Sequence, residues 1–333
     1  MLIVGIEGPE LTAIERSWLM HPSIAGVILF ARNIVDRAQS QALIEDIRGL
    51  REVPLLVCVD QEGGPVQRFR EGFAALPPLS RLGELYDRDR EQALALTREH
   101  AWLMASEMRA IGIDFSWAPV LDLARGNRAI GDRAFHADPQ VCAELGAAYI
   151  EAMKAAGMRT TGKHFPGHGS VLEDTHFSQA IDRRPLSDLA AADLVPFHAA
   201  IEAGVDAMMM AHVTYPAVDE APAGYSDHWI RHILRDSMGF DGIVVSDDIA
   251  MVAAEGAGAV GRRVQLHLDA GCDVVLVCKP ELVEEAIDAV PWDHLESTAD
   301  RLAALAGRGD LTWSSLLADP RHAQAMAALD ALA

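Results

Sequence analysis

Leu55-Leu56-Val57-Cys58-Val59-Asp60 is five unbroken apolar side chains that stop at a carboxylate. A strand with one wet face alternates apolar and polar residues; a run without alternation is covered on both faces, as parallel strands flanked by helices are. Further strand candidates, most of them runs of the same kind, lie at Leu2–Ile6, Gly26–Phe30, Asp114–Val120, Arg159–Lys163, Ala207–His212, Gly242–Ser246 and Asp273–Cys278. Together with Leu55–Asp60 they make eight expected strands.

Helical patterns lie between them. Asp138 suits an N-cap, Pro139 a first turn and Gly157 a terminus, with Val141, Leu145, Ala148, Tyr149, Ala152 and Met153 at helical spacing inside. Ala93, Leu96, His100, Leu103, Met104, Met108 and Ile111 keep the same rhythm before Gly112 breaks it. Eight strands alternating with helices predict a TIM-type (β/α)8 barrel, with a doubly wound sheet as the alternative. No GxGxxG follows an early strand to support the latter. No linker divides the chain, so residues 1–333 are expected as a single domain, with residues 291–333 as extra C-terminal helices wrapped on the outside. Leu302, Leu305, Leu316 and Leu317 are expected to dock that segment.

Composition narrows the function. The 333 residues are 50% hydrophobic, enough for a packed core rather than a disordered chain. A formal charge of −21 disfavours nucleic acid and anionic lipid as partners. The start MLIVGIEGPE lacks a basic n-region, and the longest stretch free of Asp, Glu, Lys and Arg, Ser17 to Ala31, is too short to span a bilayer. Four cysteines (Cys58, Cys142, Cys272 and Cys278) form no CxxC pair and suit reduced, buried thiols. The expected setting is the cytoplasm, without membrane insertion.

Reactive residues of a barrel gather at the C-terminal ends of its strands. Here the strands run out at Asp60, at Lys163 and His164, at His212, and at Asp247. After the fifth strand, Lys163-His164-Phe165-Pro166-Gly167-His168-Gly169-Ser170, then Asp174-Thr175-His176, carries three His, one Lys and one Asp within fourteen residues. The glycines suggest a mobile loop able to carry a general acid/base, and Asp174 can orient or charge His176. Asp247, first off its strand, is placed to act as a nucleophile; Asp248 reads better as a hydrogen-bond acceptor or cap. In Asp60-Gln61-Glu62-Gly63-Gly64 the glycines permit a sharp turn, Asp60 can accept two hydroxyls, and Arg68 can return towards the pocket. Gly131-Asp132-Arg133 is a weaker signal taken alone.

Read this way, several chemistries stay open. His164, His168, Asp174, His176 and His212 could form a metal-hydrolase site, although no HxH pair ends an early strand. Lys163 could serve as a Schiff-base amine. A sugar-binding protein without catalysis would keep Asp60, Arg68 and Lys163 but has no need of Asp247 and His176.

KHFPGHG followed by DTH, SDDIAM, DQEGGPVQRF and GDRAF together resemble glycoside hydrolase family 3, and within it the single-domain bacterial β-N-acetylglucosaminidases. The resemblance extends from the first strand to about Cys278. It implies a retaining exo-glycosidase that removes terminal β-linked N-acetylglucosamine, typically from 1,6-anhydromuramic-acid muropeptides in cell-wall recycling. A phosphorylase passing the sugar to phosphate is the alternative on the same scaffold. By resemblance Asp247 is the nucleophile, His176 the acid/base and Asp174 its partner. Asp60, Arg68, Arg133, Lys163 and His164 hold the sugar. The family implies no metal or organic cofactor; a small-molecule substrate is the expected partner, and a monomer the expected state. One departure is Pro65, where the family pattern has Arg; Pro stiffens that loop and removes a charge while leaving Arg68 in place.

Overall fold

The computed structural model describes residues 1–172 and 180–332. Eight parallel strands form one sheet: β1 (Leu2–Gly5), β2 (Ile24–Leu29), β3 (Leu56–Val59), β4 (Phe115–Ser116), β5 (Thr161–Phe165), β6 (Ala207–Met210), β7 (Ile243–Asp248) and β8 (Val274–Val277). Their order is β4-β3-β2-β1-β8-β7-β6-β5. The register pairs Val4 with Val277 and Val59 with Ser116. The two outer strands are then joined by parallel bridges, Phe115 to Arg159 and Val120 to Lys163. The sheet thereby curls into a nearly closed barrel, the TIM-type fold expected from the apolar runs.

The seam between β4 and β5 explains the one short strand. The sequence predicts a strand over Asp114–Val120, yet only Phe115–Ser116 forms one. Pro119 has no N–H to give a ladder. Its carbonyl still accepts from Lys163 N–H at 3.3 Å, and Ala118 accepts from Thr161 N–H at 2.8 Å. Leu121 N–H donates to Lys163 O at 2.7 Å, which ties the chain after β4 to the end of β5.

Helices cover the barrel. Arg90–Ala110 starts at Asp89, whose carboxylate accepts from Gln92 N–H, and packs against Pro139–Ala155. The latter is capped by Asp138 and followed by Gly157 at φ +78°, as its sequence signals required. Apolar side chains between sheet and helices form the core, with Leu2, Ile3, Val57, Leu103, Met104, Leu145 and Val275 wholly buried. Cys58, Cys142 and Cys272 are buried free thiols, whereas Cys278 is only half-buried.

Residues 291–332 contain the helices Trp292–Ala303, Trp313–Ala318 and Pro320–Asp330. The last two lie on Arg90–Ala110, held by Arg321 to Glu99 (3.0 Å) and His322 to Glu107 (3.0 Å). Leu302, Leu305 and Leu316 are buried there, but Leu317 is 57% exposed. Expecting both neighbours to dock overlooked that adjacent helical positions face directions about 100° apart. Among the described residues no helix is long and apolar enough to cross a membrane.

Candidate active site

Because all eight strands are parallel, their C-terminal ends open on one face. Asp60 follows β3, Lys163 and His164 lie in β5, His212 follows β6, and Asp247 and Asp248 end β7. The strand tips picked out from the sequence therefore share that face.

Asp60 leads into a small hairpin, Gln61–Gly63 paired with Val66–Gln67. Gly63 and Gly64 turn it at φ +113° and +53°. A Cβ on Gly63 would approach Pro77 O to 2.6 Å. Gln61 Oε1 accepts from the N–H groups of Arg68 and Phe69, fixing the returning strand. Arg68 comes back to within 3.6 Å of Asp60, as expected. The hairpin tip at Pro65 lies beside Arg70, whose guanidinium donates to Gly64 O at 2.9 Å.

The cluster's hub is a residue the sequence reading passed over. Glu62 is 1% exposed. It accepts from Lys163 Nζ at 2.5 Å and binds Arg133 as a fork, through Nε at 2.8 Å and Nη2 at 2.9 Å. Lys163 Nζ also donates to Asp60 Oδ1 at 2.8 Å. Burial alone would raise the Glu62 pKa, but Arg133 and Lys163 outweigh it and hold the carboxylate well below its ordinary range. Burial would likewise lower Lys163, yet Asp60 and Glu62 together keep its ammonium above the ordinary lysine value. Asp60, Arg68, Arg133 and Lys163 are thus one network. The sequence held a signal, since two cations aimed into an apolar barrel need a buried anion.

Asp122 is the second residue not anticipated. It follows β4 and is 1% exposed. His164 places Nδ1 2.7 Å from Asp122 Oδ2, and His168 N–H donates to Oδ1 at 2.6 Å. Burial opposes the charge on Asp122, but His164 chiefly offsets this and its pKa lies below the ordinary value. The carboxylate partner seen for a site histidine is thus Asp122 on His164. His176 and Asp174 fall outside the described residues.

The start of that loop is tightly packed. Asn127 Nδ2 lies 3.0 Å from His168 Nδ1, and Tyr215 Oη donates to Gly167 O at 2.5 Å. A Cβ on Gly169 would come 1.9 Å from Leu123 O, so this glycine permits a close approach instead of the looseness expected of it.

On β7, Asp247 Oδ1 accepts from Asp248 N–H at 2.8 Å. Asp248 Oδ1 accepts from Ala250 N–H and Cys278 N–H, the capping role expected of it. His212 Nε2 lies 3.1 Å from Asp248 O. Burial lowers the His212 pKa and the Asp247 charge only partly opposes this, so the imidazole is neutral near pH 7. The same carboxylate acts on His168 and His267, which places Asp247 among the histidines of the barrel mouth. His164, His168 and His212 each contact a protein group, and among the described residues no cluster of three His, Cys, Asp or Glu side chains could hold a metal ion.

A carboxylate at a strand tip on the same face as a buried network of cations and acids is an arrangement compatible with carboxylate-assisted glycoside cleavage. The model of the glycosyl hydrolase family 3 N terminal domain matches residues 3–312. The chain belongs to glycosyl hydrolase family 3. It is a glycoside hydrolase. Among similar proteins is a beta-hexosaminidase of Stenotrophomonas maltophilia (strain R551-3), 60% identical over 322 residues that cover 97% of this chain and 96% of that one. Native NagZ from Neisseria gonorrhoeae superposes with a TM-score of 0.93 at 38% identity, covering 100% of this chain and 97% of the other. The same NagZ in complex with N-trifluoroacetyl-D-glucosamine gives a TM-score of 0.92 at 39% identity, over 99% and 97% of the two chains.

Proposed function

We propose that this family 3 enzyme is a retaining exo-β-N-acetylglucosaminidase working through a covalent glycosyl-enzyme. The observation that carries the reading is Asp247, rigid at the tip of β7, on the same barrel face as the Asp60–Lys163–Glu62–Arg133 network. Asp60, Arg68, Arg133, Lys163 and His164 bind the sugar hydroxyls. Asp247 attacks the anomeric carbon while His176, charged with help from Asp174, protonates the departing oxygen; neutral His176 then takes a proton from water. No metal or organic cofactor takes part. The names of the relatives support hexosaminides as substrates, and the Neisseria complex supports an N-acylated glucosamine in the sugar site. The physiological substrate is a terminal N-acetylglucosamine on a 1,6-anhydromuramic-acid muropeptide, cleaved in the cytoplasm by a monomer during peptidoglycan recycling.

Mass spectrometry after reaction with a 2-fluoro-N-acetylglucosaminyl donor tests the chemistry. The adduct belongs on Asp247, and Asp247→Ala abolishes both labelling and turnover. Label on Asp248 alone, or on no carboxylate, overturns the assignment. Running turnover with and without phosphate separates the hydrolase from the phosphorylase, because only the latter yields a sugar phosphate.

A further inference from the structure

Asp193 lies between the short helices Leu186–Ala191 and Val195–Glu202 and is 1% exposed. Its two oxygens collect groups from both arms of the chain that leaves β5 and returns to the barrel. From the outgoing arm Ser170 Oγ donates to Oδ1 at 2.8 Å. From the returning arm Arg184 binds as a fork, Nη1 to Oδ2 at 2.7 Å and Nη2 to Oδ1 at 3.1 Å. Arg125, further along the chain from β4, brings Nη1 to 3.5 Å from Oδ2. The outgoing arm also packs on this side chain, since a Cβ on Gly167 would come 2.9 Å from Asp193 Cβ. One buried carboxylate thus ties the two arms to each other.

Each arm has a second hold. Outgoing, Tyr215 Oη donates to Gly167 O and His168 N–H to Asp122. Returning, Ala180–Ile181 pairs in parallel with Val213 and Thr214, and Asp182 N–H donates to Thr214 O at 2.9 Å. Asp182 also accepts from Arg184, through Nε at 3.0 Å and Nη2 at 2.6 Å, so Arg184 couples the returning strand to Asp193. Burial would lower the Arg184 pKa, but Asp182 and Asp193 outweigh it and hold the guanidinium above its ordinary value. Buried ion pairs add little stability that apolar packing would not supply; what charge-assisted forks add is fixed direction. His176 lies six residues after Ser170 and six before Asp182, midway between the anchored points.

We propose that Asp193 is a positioning residue for the acid/base step. By tying Ser170 to Arg184 it holds the two ends of the stretch that carries His176 at a fixed separation, and so sets how often the imidazole meets the glycosidic oxygen. This rests on the proposed role of His176 and adds to it a residue that makes the role effective. Asp193 acts through the chain rather than on the substrate. Fixing both ends reduces the conformations open to the stretch between them. Releasing an end enlarges that set, and a catalytic group misplaced by about 1 Å can lose about a hundredfold in rate.

The test reads leaving-group dependence. It compares kcat/KM for 2,4-dinitrophenyl and phenyl β-N-acetylglucosaminides, because dinitrophenolate departs with little protonation whereas phenolate needs the acid. The ratio of the two values does not depend on how much of the enzyme is folded, so a merely structural role leaves it unmoved. Asp193→Asn keeps the shape and an acceptor for Ser170 but removes the charge that binds Arg184; the ratio is expected to rise about tenfold. Ser170→Ala leaves the ion pairs intact and frees one arm only, for a rise of about threefold. His176→Ala, run in parallel, gives the rise for losing the acid outright, about a hundredfold. A ratio unchanged in either Asp193→Asn or Ser170→Ala, with the large rise in His176→Ala, overturns the inference and leaves the acid/base reading intact. No rise in His176→Ala overturns that reading and the inference together. Where circular dichroism shows Asp193→Asn unfolded, Ser170→Ala decides alone.

Discussion

Replacing Glu62 by Gln removes one charge from the centre of the buried Asp60–Lys163–Arg133 network with little change of shape. Three cations, Arg68, Arg133 and Lys163, then face a single carboxylate, Asp60, instead of two. Removing one member of a buried ion pair costs about 3–5 kcal/mol. Unfolding entropy near 2.1 cal/mol/K per residue gives about 0.7 kcal/mol/K for 333 residues. The expected loss in Tm is therefore about 4–7 °C. The variant also changes the pH profile. Lys163 owes its raised pKa to Asp60 and Glu62 acting against burial and against Arg133. A group raised on folding stabilises fully below its unfolded value and loses that contribution as pH rises through its folded value. Without Glu62 the folded value falls, so the alkaline limb of kcat/KM on a chromogenic β-N-acetylglucosaminide moves to lower pH. Calorimetry and a pH–rate series on the same preparation give both readouts. A Tm within 1 °C of wild type together with an unmoved alkaline limb would refute the account of Glu62 as the anion on which Lys163 and Arg133 are mounted.

Asp122→Asn should lower kcat/KM at least tenfold by loosening His164 and the His168 backbone, and should reduce the pH sensitivity of stability. A carboxylate depressed on folding stabilises above its unfolded value and loses this as pH falls, so the wild-type Tm should drop more between pH 7 and pH 3 than the variant's; equal drops count against it. On the outer helices, Leu316→Ala should cost about 2–5 kcal/mol and Leu317→Ala less than about 0.5 kcal/mol in denaturant unfolding, since only Leu316 is buried. Similar costs for both would contradict the packing of Trp313–Ala318.

Much of this protein is decided locally and so is legible in order along the chain. Unalternating apolar runs such as Leu55–Val59 and Ile243–Val245 require cover on both faces, and a parallel barrel with helices between its strands supplies it. Parallel strands then oblige Asp60, Lys163, His164, His212 and Asp247 to surface at one end, so their shared face follows from strand polarity alone. What the tertiary structure alone decided is which of these groups are joined and through what. Glu62 meets Arg133 across 71 residues of chain, and Asp122 meets His164 across 42. No periodicity encodes such pairings, because they arise from the seam where β4 approaches β5 and from the hairpin after β3. Arg32 illustrates the same limit. Its sequence neighbours mark only an exposed turn; its guanidinium donates to the carbonyls of Ile6 and Cys278, just past β1 and β8, which are brought together when the first strand pairs with the last.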